Sequence, residues 1–129
     1  MLHPNQFRVN EAWIAFRLND APICTESDGD FNCLALMDAA SCFILSTVFV
    51  PAKDEQISKL EARRMLKKGS EHKHKLPDTL FIPSGEIAEN LAHEAHRQDV
   101  AVVYVSEDQL KVFIGEARDG FKEHFGRTQ

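Results

Sequence analysis

The stretch that decides the fold is Cys33–Val50, CLALMDAASCFILSTVFV, two apolar runs on either side of Asp38-Ala39-Ala40-Ser41. Its pattern is that of a buried β-hairpin. In the second run Cys42, Ile44, Ser46, Val48 and Val50 fall on one face, and Phe43, Leu45, Thr47 and Phe49 on the other. Both faces are largely apolar, so period-2 alternation is lost, as in a central strand covered on both sides. A short apolar helix shares that composition, but β-branched and aromatic residues dominate here and Pro51 closes the run. Between the runs, Asp38 is placed to accept from the backbone N–H two residues on, an Asx-type turn that Ser41 can close. At roughly nine residues the run falls short of the ~20 that a bilayer span requires.

Working outward, residues 1–10 are polar and read as loosely held. A first strand is expected over about Ala12–Leu18, with Trp13, Ala15 and Arg17 alternating against Ile14, Phe16 and Leu18. Asn19–Asp30, with Pro22, Gly29 and four acids, is an exposed loop in which Ala21–Cys24 allows a short extended piece. The hairpin strands follow at about Phe31–Met37 and Cys42–Val50. Lys53–Lys68 is read as a helix: Asp54 and Glu55 suit its first turn, Lys67 and Lys68 its last, and Gly69 its stop. Gly69–Pro77 is a polar loop bearing His72 and His74, and Thr79–Ile82 a short strand ended by Pro83.

Ser84 is a natural N-cap for a helix over about Gly85–Gln98, whose apolar stripe is Ile87, Ala88, Leu91, Ala92 and Ala95. Val100–Val105 (VAVVYV) is almost continuously apolar, the signature of a buried strand. Ser106-Glu107-Asp108-Gln109 fits a capping box. It opens a last helix with Leu110, Phe113, Ile114, Ala117, Phe121 and Phe125 on one face.

At 129 residues the chain is expected to be one domain, with its folded core over about 12–125. Hydrophobic content of 43% and charged content of 27% describe an ordinary globular protein. MLHPNQFRVN has no apolar h-region, and three cysteines (Cys24, Cys33, Cys42) cannot all pair within one chain, so free thiols in a cytoplasmic protein are expected. The net charge of −5 is uneven: eight bases face four acids between Lys53 and Lys75, leaving seven bases against sixteen acids elsewhere. Overall acidity argues against general nucleic-acid affinity, while the basic segment leaves a local contact open.

The order is three strands, helix, strand, helix, strand, helix: an α/β chain with a mixed five-stranded sheet. That succession resembles the ribonuclease H-like fold, shared by ribonuclease H, retroviral-type integrases and many transposase cores. The closer likeness is to the integrase-type core, whose second and third strands often read as an apolar run, Asp-x-x-Ser and a second apolar run. Here these are Leu34–Met37, Asp38-Ala39-Ala40-Ser41 and Cys42–Val50. Leu80-Phe81-Ile82-Pro83-Ser84-Gly85 matches the strand that ends in a catalytic Asp followed by x-Gly, and the likeness covers about Ala12 to Phe125. The chain is also similar to bacterial domains of unknown function with a Trp-bearing first strand and this hairpin.

The resemblance implies two Mg²⁺ ions roughly 4 Å apart between clustered carboxylates. The first carboxylate is missing, because Trp13–Leu18 contains no acid; Pro83 stands at the second; Glu116 alone matches a third. The resemblance therefore implies the scaffold without its catalytic acids, and neither a catalytic residue nor a metal or other cofactor is expected. Elsewhere, His93 and His96 are three apart, one short of the i, i+4 spacing of a zincin helix, and the cysteines match no Cys-x-x-Cys pattern.

The leading expectation is a catalytically inactive binding or interaction module, with a homodimer through a sheet edge or the aromatic last helix among the partners to consider. The alternatives are an enzyme using Glu86, His93 and the loop before Pro83, or weak nucleic-acid contact through Lys59, Arg63, Arg64, Lys67 and Lys68. Arg63, Arg64, Lys67 and Lys68 are the binding candidates.

Overall fold

The computed structural model describes residues 1–19, 21–24, 26, 29–54 and 56–126. Its elements are β1 (Ala12–Arg17), β2 (Ile23–Cys24), β3 (Asp30–Asp38), β4 (Ile44–Pro51), α1 (Lys59–Ser70), β5 (Thr79–Pro83), α2 (Glu89–Arg97), β6 (Ala101–Val105) and α3 (Lys111–Gly126). Short 3₁₀ turns precede β1 and α3, at Pro4–Gln6 and Glu107–Leu110. All strands belong to one mixed, open sheet. β3 pairs antiparallel with β1 and β4, and at its first residues with β2; β1 pairs parallel with β5, and β5 with β6.

Among the described residues the sheet has six strands, not the expected five. The added one is β2, and its cause is a pair of buried amides. Asn19 accepts from the Cys33 N–H at 2.7 Å and donates to Asn32 Oδ1 and the Ala21 carbonyl, both at 2.9 Å. The chain leaving β1 is thereby held against β3 and resumes pairing at Ile23↔Phe31.

Alternation along β1 and β3 divides the core into two layers. Trp13, Ala15, Leu34 and Leu36 pack with Met65 and Leu66 of α1 and Leu91 of α2. On the opposite face, Ile14, Phe16, Ala35 and Met37 pack with Leu110, Phe113 and Ile114. Ala117 and Phe121 continue that stripe half-buried, as the sequence predicts; the Phe125 side chain lies outside the described residues.

The hairpin forms as expected, but its strands differ. β3 is central. β4 pairs only with β3, so it is an edge rather than a strand covered on both sides. The register also jumps: Leu36 faces Ser46, while Met37 faces Ile44. The extra residue, Leu45, is a bulge that swaps faces. Cys42 and Ile44 join the α3 layer, whereas Leu45, Val48 and Val50 join the α1 layer, so the single alternating face of the sequence reading breaks in two.

The turn differs from the expected one as well. Asp38 accepts from the N–H of Ser41, three residues on, at 2.9 Å, and from its hydroxyl at 2.7 Å. Its other oxygen accepts from the Asn10 N–H at 2.7 Å. Asn10 in turn accepts from the Trp13 indole at 2.9 Å and donates to the Lys75 carbonyl at 3.0 Å. The amino-terminal segment is therefore tied down rather than loose: Leu2 donates to the Gln109 carbonyl, and Phe7 packs on Phe81 and Phe113.

Three element boundaries move. α1 begins at Lys59, capped by the Ser58 side chain with Glu61 in its first turn, so Asp54 precedes it; Glu55 lies outside the described residues. Gly69 is inside α1 and is not its stop. It is needed there because a Cβ would come within 2.9 Å of Leu36 Cδ2 and 3.1 Å of the Trp13 ring. α2 begins at Glu89 without a side-chain cap from its own sequence, and Gln56 Oε1 accepts from the Asn90 N–H at 2.8 Å instead. Ser84 donates to the Val105 carbonyl, and Gly85, at φ 84°, makes the turn between β5 and α2.

The capping box at Ser106 does not close either, since its side chain makes no cap bond. Most unlike the sequence reading, β6 is an edge strand whose five residues are all exposed or half-exposed. No helix among the described residues is long and apolar enough to cross a membrane.

Candidate functional site

Open α/β sheets bind ligands at the carboxyl ends of their parallel strands, and β1 and β5 end side by side at one corner of this sheet. Phe16 and Pro83 are both buried there. The corner is filled by structural bonds. Glu86 accepts from the backbone N–H of Arg17 at 3.0 Å and of Ile87 at 2.9 Å. Arg118, on α3, donates its Nε to the Arg17 carbonyl at 2.9 Å and pairs with Glu107. Arg17 Nε is the one buried side-chain nitrogen or oxygen without a hydrogen-bond partner among the described residues. Glu116 lines a hollow between α3 and the hairpin with Leu18, Ser41, Cys42 and Ile44. Among the described residues no three His, Cys, Asp or Glu are grouped to hold a metal ion.

The basic residues of α1 do not act as one stripe. Ala62, Met65, Leu66 and Gly69 face the core, and the 100° step between residues divides the rest onto two flanks. Lys59 and Arg63, one turn apart, look toward α2. Arg64 and Lys68 lie on the other flank, where Arg64 pairs with Glu61 at 3.2 Å. Lys67 and Lys68 occupy the last turn, complementing the helix dipole. Of the four binding candidates, Arg63 lines the groove between α1 and α2, and Arg64, Lys67 and Lys68 do not line it.

That groove has a volume of about 730 Å³, within the roughly 300–1,000 Å³ of small-molecule sites. Gln56, Lys59 and Arg63 line one side, and Glu89, Asn90, His93, Glu94, His96 and Arg97 the other. The junction below it is stitched by polar bonds: Asn90 Nδ2 donates to the Ile57 carbonyl at 2.9 Å, and the Ile57 N–H donates to the Ile87 carbonyl at 3.2 Å. Glu94 accepts from both sides of the Arg97 fork, at 2.7 and 3.1 Å, and from Gln98 at 2.9 Å. The Arg97 hydrogen bond holds the Glu94 carboxyl below its ordinary value; desolvation opposes it, and the Gln98 bond and the Arg97 and Arg63 charges add to the lowering. Among the described residues, Lys59 and Arg63 make no ion pair.

His93 and His96 are exposed, as the helical wheel predicts, and both line this groove. His72 packs edge-on against Phe43 with ring centres 5.2 Å apart. Glu86 and His93 do not converge. The cysteines are dispersed: Cys24 is exposed, Cys33 pairs across the ladder with Phe49, and Cys42 sits in the turn at φ 59°. Cys33 and Cys42 are therefore not close neighbours, being separated by about 13 Å of strand. Burial pushes the Cys33 thiol up to about 11. The Cys42 thiol is raised too, first by burial and then by the Glu116 and Asp38 charges. Both are poor nucleophiles in this setting.

Sequence reasoning missed Gln56, Asn90 and Arg97 as groove residues. The signal was present for one of them: Arg97 lies one turn after His93 and three residues after its partner Glu94. Gln56 and Asn90 meet only through the packing of α1 on α2, which no local pattern encodes.

No family model matches the chain, and no curated protein matches it. Among solved structures it is similar to a chain in the cryo-electron microscopy structure of the simian T-cell lymphotropic virus intasome in complex with PP2A regulatory subunit B56 gamma. The TM-score is 0.59 at 12% identity, over 89% of this chain and 39% of that one. At that identity the likeness is one of fold, and the present chain spans about two fifths of the neighbour's length.

Proposed function

We propose that this chain is a ribonuclease H-like domain that has lost two-metal catalysis and serves as a binding module. The observation that carries the reading is the corner at the ends of β1 and β5. A two-metal site needs carboxylates projecting into open space there. Phe16 and Pro83 take those positions, and the Arg118 contacts with Arg17 and Glu107 occupy the corner. The intasome likeness supports the fold half of the reading, as does a sheet in which only β3 runs against its neighbours.

The contact surface is the β4 edge. Its outer backbone groups have no strand partner among the described residues, and Phe43 and Phe49 beside it are each 54% exposed. An exposed apolar edge strand is a template for pairing with another chain. The partner in this reading is a second copy or another protein.

The test has two arms. Incubated with Mg²⁺ or Mn²⁺, the protein is expected to leave DNA and RNA uncut; cleavage that a chelator abolishes would overturn the loss of catalysis. Light scattering of the wild-type chain and Phe49→Lys addresses the edge: self-association that the variant abolishes supports pairing of two copies through β4. A monomer leaves β4 to a different protein, and association that Phe49→Lys does not change refutes the edge.

A further inference from the structure

We infer that the groove between α1 and α2 is a binding site for a single phosphomonoester. The inference does not rest on the loss of catalysis, since the groove lies apart from the β1/β5 corner. It starts from how the charges are disposed. Lys59 and Arg63 stand one turn apart on one wall, and His93 and Arg97 one turn apart on the other, so four donors look into one space of about 730 Å³. Arg97 is held in place by its two bonds to Glu94, whereas Lys59 and Arg63 make no ion pair among the described residues, the Arg63 charge acting on Glu94 only from a distance. A guanidinium fork with an ammonium beside it is the donor set that suits a phosphate group.

The ligand is one phosphate rather than a nucleic-acid backbone, for three reasons. Glu89 and Glu94 interrupt the positive surface at the groove itself. α1 and α2 have 12 and 9 residues, about 18 and 14 Å of helix, too short to follow several phosphates. The other bases of α1, Arg64, Lys67 and Lys68, do not line the groove, and the chain as a whole carries −5.

Lys59, Arg63 and Arg97 face the groove as cations and Glu89 and Glu94 as anions, leaving a small positive excess. A phosphorylated protein segment and a small phosphorylated metabolite present the same group.

Titration of the full chain, followed by its amide and histidine NMR signals, tests the site. Sulfate serves as a probe of constant charge, and inorganic phosphate as the chemical match. Shifts are expected at Arg63, Asn90, His93 and Arg97. Arg63→Gln should weaken binding about fivefold, and the exposed Lys68→Gln should leave it unchanged. A phosphoserine peptide that binds more tightly than a sugar phosphate assigns the site to protein ligands, and the reverse order assigns it to metabolites. Equal losses in Arg63→Gln and Lys68→Gln, shifts scattered over all basic residues, or preference for an oligonucleotide with a steep salt dependence would overturn the inference.

Discussion

β3 and β6 are both apolar strands, and they have opposite fates. In β3, Asn32–Asp38 is buried throughout, while none of the five residues of β6 is buried. Apolar content does not separate them; neighbours do. β3 lies between β1 and β4 with a helix layer on either face, whereas β6 has β5 alone beside it. Burial in a sheet is decided by strand order, which a strand's own residues do not encode.

The sharpest way to break that comparison is a pair of truncations. Leu36→Ala, at 0% exposure, should cost about 2–5 kcal/mol. Val103→Ala in β6, at 39% exposure, should stay below about 1 kcal/mol. Urea unfolding midpoints check both, and similar losses would mean that β6 is covered in solution.

The inner layer can be probed from its helix side as well. Gly69→Ala removes a glycine from the last turn of α1, which by helix propensity alone should add up to about 1 kcal/mol of stability. The new methyl would press on Leu36 and the Trp13 ring, so a net loss of about 1–2 kcal/mol is expected. A stabilised variant would show that the helix can lift from the sheet.

A further effect in β3 belongs to Cys33, which packs in the layer under α3. Its folded thiol stays protonated to about 11, against an ordinary value of 9.0. Between those values the unfolded chain releases a proton that the native chain retains, so stability falls as pH rises through this window. The loss should be about 1 kcal/mol by pH 10. The difference between wild type and Cys33→Ala in unfolding midpoint, at pH 8 and pH 10, isolates it from other titrating groups.

Much of the layout was legible. β1, both arms of the hairpin, β5, β6 and the apolar stripe of α3 follow from local periodicity and from the residues that end each run. The misplaced starts of α1 and α2 have one physical cause. Ser58 and Gln56 supply the caps, and Gln56 reaches α2 only because the segment before α1 packs against it. At the candidate site, Arg63 was identifiable from its charge. Arg64, Lys67 and Lys68 looked equivalent to it in sequence and point elsewhere, because the rotation of α1 is set by Met65, Leu66 and Gly69 seating on the sheet.

The succession of elements, the hairpin built on Asp38 and Ser41, and the lack of an acid in β1 are properties of short segments and their side-chain chemistry. Which apolar strand lies inside, where Leu45 swaps the faces of β4, and which cations share a groove emerge when distant segments pack together. Those outcomes depend on contacts between residues far apart in the chain: Asn19 with Cys33, Asn10 with Asp38, and Gln56 with Asn90. A hydrogen bond of that kind is formed by the fold, and no local pattern announces it.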